Sequence, residues 1–240
     1  MKISLVVPAF NEEKLLGASL ARIQAAAAVF EPLGWHWELI VCDNNSTDRT
    51  PEIARAAGAR VVFEPFNQIG RARNTGAAAA TGNWLIFVDA DSHPGAELFA
   101  DVAKQIGSGD CLAGGATVEL DESLAVARAV AWLWNRTSRL GKWLAGSFIF
   151  VEAAAFRQLG GFSEEMFAGE ELELSRRLKR LARQNGRRVV ILHRHPLVTS
   201  ARKMHLYTPW DHFKLLAQVT FNRRVLRRRE ACTLWYDGRR

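Results

Sequence analysis

Trp84-Leu85-Ile86-Phe87-Val88-Asp89-Ala90-Asp91 is the stretch on which the fold turns. Leu85–Val88 is fully apolar, and two carboxylates follow it at once. An uninterrupted apolar run of this length reads as a strand, Trp84–Asp89, buried on both faces, as in sheets covered by helices on each side. The carboxylates then stand at its carboxyl end, where open α/β sheets bind ligands.

Working back towards the amino terminus, short β-type runs at Ile3–Pro8, Trp37–Asp43 and Arg60–Phe63 alternate with helical stretches. A first helix is opened by Asn11, and a second follows Ser46–Asp48, whose residue types suit a helix N-terminus ahead of Pro51 and Glu52. A third lies near Arg71–Ala80. Leu16, Leu20, Ile23 and Ala27 recur at helical spacing and should face the sheet. This βαβ rhythm predicts an α/β chain with a Rossmann-like, mainly parallel sheet and helices on both faces. Towards the carboxyl terminus the expected elements are strands near Leu112–Val118, Phe148–Val151 and Arg188–Leu192. Helices are expected at Glu152–Leu159, closed by Gly160-Gly161, and at Glu170–Ala182. No internal repeat or low-complexity tract interrupts them, so a single domain over residues 1–205 is expected, followed by a basic tail over 206–240.

The bulk numbers agree with one folded domain: 240 residues, 48% hydrophobic and 24% charged. The formal net charge of +7 favours anionic partners, although much of it lies late, in Arg223, Arg224 and Arg227–Arg229. Cys42, Cys111 and Cys232 are odd in number and far apart, which argues against a disulfide framework and fits a reducing cytosol. The apolar run Ile3–Phe10 is too short for a signal peptide, and no charge-free stretch reaches the roughly 18 residues of a membrane span. A cytoplasmic protein is expected.

Three strand ends carry polar residues that packing does not require: Pro8-Ala9-Phe10-Asn11-Glu12, Asp43-Asn44-Asn45-Ser46-Thr47-Asp48, and Asp89-Ala90-Asp91. They should line one cleft. Two carboxylates about 4 Å apart repel by about 4 kcal/mol at an effective dielectric of 20, so a cation is expected beside Asp89 and Asp91. Oxygen-only donors suit Mg²⁺ or Mn²⁺. Arg71 and Arg73 offer a guanidinium clamp for phosphate or carboxylate, one of them being a plain surface residue. Glu170-Glu171 opens a helix whose buried stripe is Leu174, Leu178 and Leu181. The helix dipole favours acids there in any protein, and a carboxylate in that place is also suited to be a general base.

Taken in order, these segments, with Gly70-Arg71-Ala72-Arg73-Asn74-Thr75-Gly76, Gly160-Gly161-Phe162 and Gly169-Glu170-Glu171, resemble the signature segments of family 2 glycosyltransferases with the GT-A fold. The resemblance covers roughly residues 1 to 200. It implies an inverting transferase that moves a sugar from a UDP- or GDP-sugar to an acceptor hydroxyl, lipid-linked or on a saccharide. It implies a nucleotide-binding half over 1–91 and an acceptor-binding half over 92–205. Pro8, Ala9, Glu12 and Asp43 are then expected to hold the nucleoside, with Asp89 near the ribose and Asp91 on the metal. Asn11, Asn45, Arg71, Asn74, Ala90 and Glu170 complete the expected binding set, Asp89 being a second candidate ligand. Glu171 falls on the base position, where the family commonly has an aspartate. His93, His193 and His195 are candidates for a third metal ligand.

Rival readings explain less. A nucleic-acid-binding module would not place acids at the strand ends. A nucleotidyltransferase would normally carry a glycine-rich basic loop after the first strand. A phosphate loop, a dinucleotide fingerprint and a calcium loop are all absent. A catalytically inactive nucleotide-sugar-binding relative is the remaining alternative. Beyond Thr208, Trp210, Phe213, Ala217 and Phe221 recur at helical spacing before the arginine cluster, a pattern that suits peripheral contact with an anionic membrane as well as ordinary packing.

Overall fold

The computed structural model of the chain describes residues 1–121 and 125–200, together with Leu226, Arg227, Glu230 and Cys232. The first half runs β1 (Lys2–Ala9), α1 (Leu16–Ala27), a 3-10 segment at Ala28–Leu33, β2 (His36–Asp43), α2 (Thr50–Ala56), β3 (Arg60–Phe63), α3 (Ile69–Ala79) and β4 (Trp84–Val88). The second half runs β5 (Ser92–His93), α4 (Ala96–Gly107), β6 (Cys111–Leu120), α5 (Ala125–Gly141), β7 (Phe148–Glu152), α6 (Ala153–Gln158), α7 (Glu170–Gln184) and β8 (Arg188–Thr199). The expected tail over 206–240, with its apolar repeat from Trp210 to Phe221, lies almost wholly outside the described residues.

The strands form one sheet in the order β3-β2-β1-β4-β7-β6-β8-β5. β1 pairs in parallel with β2 and β4, β2 with β3, and β6 with β8. β7 is antiparallel to both its neighbours, and β5 to β8. Parallel pairing therefore holds throughout the first half and gives way to mixed pairing beyond it. The cause is local: Phe148, the first residue of β7, lies opposite Val88, the last of β4. The stretch containing α5 has not returned the chain to the opposite edge, so β7 must run backwards. The carboxyl ends of β1–β4, β6 and β8 consequently share one edge.

β4 shows why the sheet is a two-sided core. Trp84, Ile86 and Val88 join the cluster formed with Leu16, Leu20 and Ile23 of α1 and Leu98, Phe99 and Val102 of α4. Leu85 and Phe87 join the opposite cluster with Ala77 of α3, Phe156 of α6, and Leu174, Leu178 and Leu181 of α7. The period-two alternation of a strand sends neighbours to opposite faces, and each face is apolar here. Burying each Leu or Phe contributes about 1.5–3 kcal/mol. Gly76 lets α3 lie against β1, since a Cβ there would meet Val6 Cγ1 at 2.5 Å.

One helix begins later than its sequence suggests. α1 opens at Leu16, not at Asn11, because Asn11 takes a left-handed φ of 52° and belongs to a turn. That turn is part of the site.

Candidate active site

The turns after β1 and β2 are stitched together. Asn11 N–H donates to Ser46 Oγ at 3.0 Å, and Thr47 N–H donates to the Asn11 carboxamide oxygen at 2.8 Å. Glu12 N–H donates to Thr50 Oγ1 at 2.8 Å, and Glu13 N–H to Asp48 Oδ2 at 3.1 Å. The polar residues beyond the two strands thus satisfy one another's backbone and hold a fixed rim, with Pro8, Ala9 and Glu12 buried behind it. Asp43 is 5% exposed and accepts from Ser46 N–H at 3.1 Å through Oδ1, with no side-chain hydrogen bond to Oδ2 among the described residues. Asn45, at φ 65°, projects outward and is exposed, whereas its neighbour Asn44 is buried. Asn44 donates to the carbonyls of Glu64 and Phe66 and accepts from Gln68 N–H at 2.9 Å, so it ties the loop before α3 to this rim.

Arg73 is the hub on the other side of the cleft. It is 1% exposed and donates to Glu170 Oε1 at 2.6 Å, Asp89 Oδ1 at 2.9 Å and the Gly146 carbonyl at 2.8 Å. Its guanidinium lies 5.3 Å from the centre of the Phe162 ring. Burial opposes its charge, but Asp89, Glu170 and Glu171 outweigh that and hold it protonated. Arg71 points the other way, pairing with Glu164 at 3.0 Å and lying over Phe66. Arg73, absent from the expected binding set, is therefore the clamp within the carboxylate cluster. The signal was present: Gly70, Ala72, Gly76 and Ala77 mark the buried side of α3, and Arg73 falls among them. Asn74 is engaged structurally, exchanging hydrogen bonds of 2.9 Å with the backbone of Phe162. This fixes the Gly160-Gly161-Phe162 turn, in which both glycines adopt positive φ.

A cavity of about 170 Å³ opens among Arg73, Asp89, Gly146, Ser147, Glu170 and Glu171. The two glutamates have different roles there. Glu170, 3% exposed, is held by Arg73. Burial, and then the adjacent Glu170 carboxylate, push Glu171 up to about 8, against the pull of Arg73. A carboxyl group of this kind is poised to exchange a proton near neutral pH. It stands at the start of α7, after Gly169 at φ 74°. The described carboxyl-terminal residues lie close by. Phe167 N–H donates to the Leu226 carbonyl at 2.7 Å, and Arg227 pairs with Glu165 at 3.3 Å.

Asp89, Ala90 and Asp91 form a tight turn in which Ser92 N–H donates to the Asp89 carbonyl at 3.1 Å. Ala90 and Asp91 are buried, at 5% and 6% exposure. Among the described residues no group of three or more His, Cys, Asp or Glu side chains is arranged to hold a metal. Of the three candidate histidines, His195 pairs with Asp101 at 3.0 Å and His193 faces a groove beside α5. His93 follows Asp91 on β5, its imidazole pulled to lower pKa by burial and by Arg22. Two carboxylates without a protein cage still fit a hard divalent ion, which takes the rest of its shell from phosphate oxygens and water.

Comparison with known proteins bears on this arrangement. The pattern of "Glycosyl transferase family 2" matches residues 4–157, well over half of the chain. An uncharacterized glycosyltransferase of Mycobacterium tuberculosis is 39% identical over 89 residues, covering 37% of this chain and 36% of that protein. The undecaprenyl-phosphate 4-deoxy-4-formamido-L-arabinose transferase of Edwardsiella ictaluri is 30% identical over 150 residues, covering 58% of this chain and 41% of that protein. The chain thus spans well under two thirds of the length of these relatives. Among solved structures, a mannosyltransferase from Pyrobaculum calidifontis in complex with GDP-Man and Mn²⁺ superimposes with a TM-score of 0.69 at 18% identity, over 94% of this chain and 62% of that one. S. aureus TarS in complex with UDP-GlcNAc gives 0.66 at 20% identity, over 99% and 71%. At these identities the likeness is one of fold. The matched sequence pattern and the shared GT-A sheet together show that the chain belongs to glycosyl transferase family 2.

Proposed function

We propose that this chain is an inverting, metal-assisted glycosyltransferase that moves a sugar from a nucleoside-diphosphate sugar to an acceptor hydroxyl. The observation that carries the reading is the placement of Glu171 in a cavity with Asp89 and Arg73, its carboxyl pushed up to about 8 while its neighbour Glu170 is paired with Arg73. The nucleoside lies against the rim made by Pro8, Ala9, Asn11, Glu12, Asp43 and Asn45, where Asp43 keeps one carboxylate oxygen for the base. Asp89 is held at the mouth of β4 by Arg73, in place for the ribose. A divalent ion on Asp91, and on the second oxygen of Asp89, would neutralise the diphosphate as it leaves. Glu171 takes the proton from the attacking hydroxyl, a contribution of about 10² to 10⁴ in rate. Direct attack on the face opposite the leaving group inverts the anomeric centre.

The relatives support the donor class: solved family structures are described with GDP-Man and Mn²⁺, with UDP-GlcNAc, and with UDP-glucose and Mn²⁺. No helix among the described residues is long and apolar enough to cross a membrane. The reading places the chain in the cytoplasm, with peripheral membrane contact through the tail, and with no nucleic-acid partner.

The test is calorimetric titration of UDP and GDP, each with and without Mn²⁺, into the wild type and Asp91→Ala. Micromolar, Mn²⁺-dependent binding of one diphosphate, lost in the variant, is expected. Absence of binding under every condition would overturn the reading.

A further inference from the structure

A groove away from the Glu171 cavity, between α5 and the carboxyl end of β6, encloses about 920 Å³. That is the size of a small-molecule cleft. Asn135 ties α5 to its floor. Asn135 accepts from Val118 N–H at 2.9 Å and donates to the Val118 carbonyl at 2.8 Å, taking the place of a neighbouring strand. The helix face turned to the groove carries Arg128, Trp132, Asn135 and Arg139, at spacings of four, three and four residues. Arg136 adds a third guanidinium, 5.9 Å from the centre of the Trp132 ring.

Two features define the ligand. No ion pair involving Arg128, Arg136 or Arg139 is found among the described residues, and all three are exposed. Three such guanidiniums on one helix are a site for a multiply charged anion. The same helix exposes large apolar side chains, Trp132 at 63%, Leu133 at 58% and Leu140 at 78%, and both Trp132 and Leu140 line the groove. Exposed apolar residues of this size beside cations mark a binding surface. On the opposite wall Glu119 and Asp121 repel an anion from the strand and direct it to α5.

Position ties the groove to the catalytic edge. β6 runs in the same direction as β4, so Asp121 and Asp91 emerge on one side of the sheet. Asp121 N–H donates to the Thr199 carbonyl, and the next residue, Ser200, donates its N–H to the Asp91 carbonyl.

Resting on the transferase reading above, we infer that this groove holds the part of the acceptor remote from its reacting hydroxyl, and that this part is an anionic amphiphile: an apolar chain carrying a phosphate group. The arginines take the phosphate, and Trp132 and Leu140 take the adjoining chain.

Calorimetry with the full chain tests this with three small probes, dodecyl phosphate below its micellar concentration, inorganic phosphate and dodecyl maltoside, and with phosphatidylglycerol vesicles. Dodecyl phosphate is expected to bind at least tenfold more tightly than either of the others. Arg128→Ala/Arg139→Ala and, separately, Trp132→Ala should each weaken it at least tenfold, while Mn²⁺-dependent binding of the nucleoside diphosphate is unchanged. These side chains are exposed, so folding is not at stake, and the diphosphate titration reports it. Inorganic phosphate binding as tightly as dodecyl phosphate would reduce the groove to an anion site and overturn the proposal. So would unaltered binding by the variants, or binding of phosphatidylglycerol vesicles without any binding of the monomeric amphiphile. Failure of the wild type to bind a diphosphate would instead strike the transferase reading, leaving the groove result independent of it.

Discussion

Arg73 and Glu171 face each other across the same small cavity under opposite constraints. Arg73 is buried, and its two terminal nitrogens are committed to two carboxylates and a carbonyl while its Nε makes no hydrogen bond among the described residues. Removing a buried charge partner leaves the others unpaired, a loss of about 3–5 kcal/mol. Arg73→Met is therefore expected to lower the urea midpoint sharply, and Arg71→Met, whose ion pair is at the surface, to leave it nearly unchanged. Glu171 is raised rather than lowered, so the folded protein holds a proton that the unfolded chain releases at the ordinary carboxylate value. Stability from this group is full below that value and is lost as pH rises towards about 8. Glu171→Gln should then be more thermostable than wild type at pH 9 and equal to it at pH 4, while its transfer rate falls by about 10²-fold or more. Equal melting temperatures at pH 9 would contradict the burial of an ionisable Glu171. The Glu-Glu pair was legible in the sequence because its position at a helix start is local. The selection of Arg73 over Arg71 rested on a fainter signal, the small residues Gly70, Gly76 and Ala77 that share its buried side of α3.

At the scale of elements, α3 shows how closely the site depends on small residues. A methyl at Gly76 would meet Val6 of β1, pushing the helix outward and Arg73 with it. Gly76→Ala is expected to cost about 1–3 kcal/mol and to weaken diphosphate binding together with stability, measured by denaturation and calorimetry on the same preparation. β3 appears in the structure with the bounds read from the sequence, Arg60–Phe63, and α6 and α7 fall within two residues of theirs. Their limits are set by local chemistry: glycines in positive φ after α6, an acidic first turn in α7. α1 was read too early because Asn11, a good capping type, is drawn into hydrogen bonds with Ser46 and Thr47 from a distant turn. α4 was not read at all, although Leu98, Phe99, Val102 and Ile106 recur at helical spacing and are buried.

Across the whole molecule, the βαβ rhythm of residues 1–91 carried the direction of four strands, because each connection there crosses a helix back to the starting edge. The reversal at β7 was not legible: nothing in Phe148–Glu152 distinguishes an antiparallel strand from a parallel one. The reversal comes from α5 leaving the chain on the carboxyl edge, a property of the connection and not of the strand. What unites the molecule is that shared edge, where the β1 and β2 turns, Asp91, Glu171 and the α5 groove all open. The most direct test is a crystal structure of the chain with Mn²⁺ and its preferred nucleoside diphosphate, read by anomalous scattering at the manganese edge. A manganese peak in direct contact with Asp91, with the diphosphate bridging to it and the base against Asp43, is the expected result. A diphosphate bound elsewhere, or manganese on residues other than Asp89 and Asp91, would contradict it.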